Sequence, residues 1–212
     1  MSAAPRPFKG PAVVPAVASR KVPSKPARGP VFLQPAVEAM VRVYAERGRA
    51  VFALAAPNRG AGTSYVVNLL AQELVRQFDC TVAIVPSDAL KGTDPKQLPQ
   101  GFMEDSPKVW SAVADKALER MPDFALENVW ISRGAQNFDF VLLDCPALAS
   151  NAQTVRWASG ADGMFLVVEA GVTKAPQIQL AQRSLVATGS NLQGIILNRR
   201  TYPIPKVFYK LL

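Results

Sequence analysis

Apolar and polar positions along the chain alternate between two periods. Short continuous apolar runs occur in AVFALAAP (50–57), TVAIVPSD (81–88), FDFVLLDCPAL (138–148), DGMFLVVEAG (162–171) and LQGIILN (192–198). Each has the length of a strand and enough apolar side chains to be covered on both faces. Helical spacing takes over between them. PAVEAMVRVYAERG has proline at a helix start and a glycine stop, which predicts a helix over 35–47. A second amphipathic helix is predicted from Ser64 to Phe78, with Val67, Leu70, Leu74 and Phe78 near one face. Buried strands alternating with helices predict an α/β fold, a mostly parallel sheet flanked by helices on both faces. The pattern is less regular over 89–137. There LKGTDPKQLPQGF reads as a loop, and helices are predicted near Ser106–Met121 and Phe124–Gln136, although Val129, Trp130 and Ile131 would also suit a strand.

Charge divides the chain in two. The net charge is +8, yet residues 1–34 alone carry six basic side chains (Arg6, Lys9, Arg20, Lys21, Lys25, Arg28) and no acid. Proline-rich and basic, this stretch cannot bury enough apolar surface to offset its ordering entropy, so a disordered tail is expected over 1–34 and one folded domain over 35–212. The tail could touch an anionic surface or an acidic partner, or serve as a solubilising linker. No apolar run is long enough to cross a bilayer and the start does not read as a secretory signal. A cytoplasmic protein is expected, at most peripheral at the inner membrane through a partner. With no histidine and two isolated cysteines, Cys80 and Cys145, a zinc site and any histidine-based acid–base or triad mechanism are excluded. Both cysteines read as small buried apolar residues.

The candidate chemistry lies in PNRGAGTSY (57–65), between the first predicted strand and the second helix. A glycine-rich turn at this junction aims backbone N–H groups and the positive end of a helix at a polyphosphate. Gly60 and Gly62 allow close approach, and Ser64 is placed to put its hydroxyl on magnesium. The nucleotide-binding candidates are Arg59, Gly60, Ala61, Gly62, Thr63, Ser64 and Tyr65. Two positions depart from the G-x-x-x-x-G-K-[ST] pattern: its first glycine falls on Pro57 and its lysine on Thr63. Arg59 could supply charge from the loop, though a guanidinium elsewhere on the backbone is no simple replacement for an ammonium. About eighty residues later, FVLLDCP places Asp144 at a strand's carboxyl end, where nucleotide enzymes hold a carboxylate for magnesium. By itself, either motif could be an ordinary strand-end turn; together they favour a nucleotide site.

These stretches, with VAIVPSDAL and the long segment from Ala161 to Arg200, resemble the cytoplasmic domain of the bacterial tyrosine kinases of capsule and exopolysaccharide export. Those kinases are relatives of the partitioning and Min-type P-loop ATPases. The resemblance covers roughly residues 35–200 and implies a P-loop NTPase-like fold, ATP and Mg2+ as ligands, and Asn198 near the nucleotide base. It also implies a membrane-spanning polysaccharide co-polymerase as partner, and Tyr202 and Tyr209 as the remaining terminal tyrosines open to phosphorylation. The departures fall on catalytic positions. Where the family has D-x-D after its second strand, this chain has Pro86-Ser87-Asp88, so Asp88 alone is left as a catalytic carboxylate. The helix that the kinases use to assemble rings is only faintly echoed in EAMVRVY, which leaves homo-oligomerisation open. A degenerate, kinase-like regulator or assembly partner, with nucleotide binding weakened or lost, is the leading reading. An active tyrosine autokinase or ATPase is the second. The third is a partitioning-type protein binding a membrane or nucleic acid through Arg199, Arg200, Lys206 and Lys210 interleaved with Tyr202, Phe208 and Tyr209. Nucleic acid is the least expected partner.

Overall fold

The computed structural model describes residues 32–86, 102–112 and 138–200, with backbone only at 102–104. Helix α1 (Gln34–Arg47) opens with proline in its first turn and closes on Gly48, whose left-handed φ of 71° lets its N–H return to the Tyr44 carbonyl. Strand β1 (Ala50–Ala55) follows and is buried along its whole length. Then come α2 (Thr63–Phe78), β2 (Val82–Pro86), β3 (Phe102–Ser106), β4 (Val109–Ala112) and β5 (Phe140–Asp144). The chain continues through α3 (Gln153–Gly160), β6 (Gly163–Glu169), α4 (Ala175–Ala187) and β7 (Leu192–Asn198). The elements form a seven-stranded sheet in the order β3-β4-β2-β5-β1-β6-β7. Every neighbouring pair is parallel except β3–β4. This is the expected α/β architecture.

Alternation along the central strands sends two sets of side chains to opposite faces. Phe52 and Leu54 of β1 join Phe140, Leu142, Phe165 and Val167 beneath α1 and α2. Val51, Ala53 and Ala55 join Val141, Leu143, Met164 and Leu166 beneath α3 and α4, where Trp157 is almost wholly buried. Each fully buried large side chain contributes roughly 1.5–3 kcal/mol, so β1, β5 and β6 form a stiff platform. Close packing extends to Gly163, where an added Cβ would lie 2.6 Å from the Phe52 ring. Both cysteines are free and buried, as their surroundings in sequence suggested.

One expectation is overturned. The helix expected near Ser106–Met121 does not begin there: Ser106 ends β3 and Val109–Ala112 is a strand. Pro107 and Lys108 turn the chain, Lys108 at φ 65°, and β4 then pairs with β2 in parallel register. Val109 and Trp110 suit a pleated strand as well as a helix face, and pairing with β2 decides between the two. The helix expected over 124–136 and the tail up to residue 31 lie outside the described residues. Among the described residues no helix is long and apolar enough to cross a membrane.

At the amino-terminal ends of the parallel strands the polar groups are paired with one another. Asp139, just before β5, accepts from the Thr81 N–H at 2.7 Å, the Thr81 hydroxyl at 2.9 Å and the Tyr44 hydroxyl at 3.0 Å. Asp162, just before β6, accepts from the Val51 N–H at 2.8 Å and from Arg47. Ring stacking of Tyr44 on Phe140, centroids 5.0 Å apart, holds α1 against this end.

Candidate functional site

The opposite end of the sheet gathers the carboxyl ends of β1, β2, β5, β6 and β7, where α/β sheets bind ligands. The candidate loop grows out of the centre of this end. Past the end of β1, the carbonyls of Ala56 and Pro57 accept from the N–H groups of Leu148 (2.9 Å) and Ala149 (3.1 Å), so the turn after β5 clamps the loop's first residues. Gly60 and Gly62 then take left-handed φ values of 94° and 81°, conformations that cost a side-chain-bearing residue and leave glycine unstrained. Gly62 has a second constraint. An added Cβ there would lie 2.5 Å from Nδ2 of Asn198.

Helix α2 starts at Thr63, and Val66 N–H reaches the Gly62 carbonyl at 3.1 Å. No side chain caps it, so its first turn presents its amides and the positive end of its dipole toward the loop. Thr63 is half-buried, while Arg59, Gly60, Ser64 and Tyr65 are exposed. Asn68, one turn on, donates to the Ser64 carbonyl at 2.8 Å. Asp144 ends β5 with Leu54 and Pro86 as its register neighbours on β1 and β2. A neutral proline thus stands at the end of β2 beside the one carboxylate that ends β5.

Asn198 closes the loop's other side. It is buried at the end of β7 and donates its Nδ2 to the carbonyl of Ala61 at 2.8 Å, across 137 residues of sequence. This amide therefore supports the loop from beneath. Directly after it Arg199 adopts a left-handed φ of 54° and pairs with Glu169 at the end of β6, N–O 3.0 Å. The sequence marked Arg199 only as part of a basic terminal stretch; its place beside the loop depends on β7 lying next to β6. Asp88, Tyr202 and Tyr209 lie outside the described residues, as does most of the terminal basic and aromatic stretch. Cys145 sits immediately behind the site, its thiol pushed far above the usual range by burial first and by the adjacent Asp144 charge second. It is inert as a nucleophile.

Four comparisons bear on this arrangement. The tyrosine-protein kinase CpsD of Streptococcus agalactiae is 29% identical over 82 residues, which span 37% of this chain and only 36% of that kinase. The BceF tyrosine kinase domain superposes with a TM-score of 0.58 at 21% identity, covering 76% of this chain and 73% of its own. The fold is that of the bacterial tyrosine kinase domains. The VpsO kinase domain agrees, with a TM-score of 0.60 at 17% identity over 81% of this chain and 97% of its own. The same P-loop fold extends to cobyrinic acid a,c-diamide synthase of Mycobacterium smegmatis, solved with an ATP analogue and magnesium (TM-score 0.53, 16% identity, 69% of this chain and 72% of its own). No family model matches the sequence.

Proposed function

We propose that this chain is a kinase-like component of polysaccharide synthesis and export that keeps a polyphosphate-binding loop but has lost most of its phosphoryl-transfer chemistry. It would work in the cytoplasm as a regulator or assembly partner of a membrane-spanning co-polymerase. The observation that carries this reading is the contrast at the loop: the glycine geometry of Gly60 and Gly62 is kept, while the first residue of α2 is Thr63 rather than a lysine. Pro86, in register with Asp144, adds to it, because the family's paired-carboxylate motif begins there. Phosphoryl transfer depends on charge placed around the transferring group. Losing a phosphate cation and a candidate base removes much of that charge.

ATP with magnesium fits the residues present in part. Ser64 and Asp144 would hold the ion, and the uncapped start of α2 would face the phosphates. When bound, magnesium would neutralise charge on the phosphate chain. The test combines calorimetric titration of the purified chain with Mg-ATP and a phosphotyrosine assay on the same preparation, with and without the co-polymerase's cytoplasmic segment. Saturable binding that Ser64→Ala abolishes, with phosphorylation at least about a hundredfold below active kinases, is expected. Autophosphorylation at ordinary kinase turnover, roughly 1–100 per second, would refute the loss of chemistry.

A further inference from the structure

We infer that Arg199 supplies the phosphate-binding cation that position 63 lacks, reaching the loop from the end of β7 rather than from the loop itself. This rests on the reading of the loop as a polyphosphate site. The ligand class is a nucleoside di- or triphosphate, and the part recognised is its phosphate chain.

Three contacts and one backbone conformation carry the inference. Asn198 donates to the Ala61 carbonyl, which ties the end of β7 to the loop. The left-handed backbone at Arg199 turns the chain sharply just past that anchor. Its side chain is thereby returned to the loop, with Nε 3.9 Å from the point where a Gly62 side chain would begin, one residue from Thr63. Glu169 holds one guanidinium nitrogen at 3.0 Å while the Arg199 side chain stays 57% exposed. A non-glycine residue in this backbone region costs free energy that the surroundings must supply. Here the strain places a cation beside the loop.

Guanidinium suits the task, since its planar fork can keep one bond to a carboxylate while other N–H groups face an anion. Glu169 is half-buried at the end of β6, and its backbone N–H is itself held by the Thr173 hydroxyl at 3.1 Å. It parks the arginine and competes with phosphate for it. Arg59, on the exposed tip of the loop, has no comparable anchor among the described residues. The two arginines therefore make opposite predictions.

The experiment titrates the full chain with Mg-ATP, Mg-ADP and AMP, each variant checked for an unchanged thermal melt. Arg199→Ala is expected to weaken the di- and triphosphate by about tenfold or more, the scale of a lost charge-assisted hydrogen bond, and to leave AMP unchanged. Arg199→Gln should behave alike, and Thr63→Lys should restore binding to Arg199→Ala. Glu169→Gln should strengthen triphosphate binding, and this gain should vanish when combined with Arg199→Ala; a gain that persists would mean simple repulsion by Glu169 and would overturn the competition. Unchanged triphosphate affinity in Arg199→Ala, or a loss in Arg59→Ala instead, would overturn the inference while leaving the nucleotide reading standing. Absence of binding in both the parent chain and Thr63→Lys would overturn both.

Discussion

The two ends of the sheet use their polar groups differently. At the amino-terminal end Asp139 collects three donors and Asp162 ties Val51 to α1 through Arg47. At the carboxyl end the loop residues Arg59, Gly60 and Ser64 face solvent, the first turn of α2 is uncapped, and support comes from beneath through Asn198. A closed network spends its polar groups on stability; an open one keeps them for something that arrives later. Substitutions at the first end should unfold the protein, and those at the second should change what it binds.

The largest effect expected is from Asp139→Ala. Removing the carboxylate strands the Thr81 and Tyr44 donors, and a loss of roughly 3 kcal/mol in urea unfolding is expected, while the folded fraction binds Mg-ATP as the parent does. A change in affinity without a change in stability would break the division between the two ends. Gly62→Ala tests the other end. It forces a Cβ into the Asn198 amide and a side chain into φ 81°, so nucleotide titration should show binding lost, with a stability cost of only about 1–2 kcal/mol.

Asn198 separates support from recognition. Asn198→Ala removes one buried hydrogen bond, worth about 1 kcal/mol, and should loosen the loop enough to raise its protease sensitivity. Asn198→Asp should be worse than alanine in a thermal melt, because a carboxylate would face the Ala61 carbonyl where an amide now donates. Equal effects of the two would mean that the contact is incidental. The smallest effect concerns Cys80, near the closed end. Burial first, and the charge of Asp139 second, push its thiol up from 9.0 to about 12. The folded state thus holds this proton longer than the unfolded chain does. Its contribution is fully present below pH 9.0 and is lost as pH rises toward about 12. Unfolding curves near pH 8 and near pH 10 should differ by about 1 kcal/mol less in Cys80→Ala than in the parent.

Much of the fold was legible because its strongest elements carry their own periodicity. Helix α1 with Pro35 and Gly48, α2, and the five long parallel strands each follow from local pattern. The β3–β4 hairpin does not. Its residues suit helix or strand alike, and the partner that selects strand, β2, lies outside the local window. The candidate loop was legible for a similar reason: seven of its residues are contiguous, and glycine at 60 and 62 has a local conformational cause.

What the sequence determined by itself was the class of fold, the position of the loop and the absence of lysine at position 63, since each depends on residues within a turn or two of one another. Strand order, the hold of Asn198 on Ala61 and the pairing of Arg199 with Glu169 were decided only by tertiary structure. They join residues far apart in the chain. Side-chain period tells which face a strand buries, and says nothing of which strand lies beside it. Only the placement of β7 beside β6, and of β6 beside β1, brings a strand-end arginine next to a loop formed more than a hundred residues earlier.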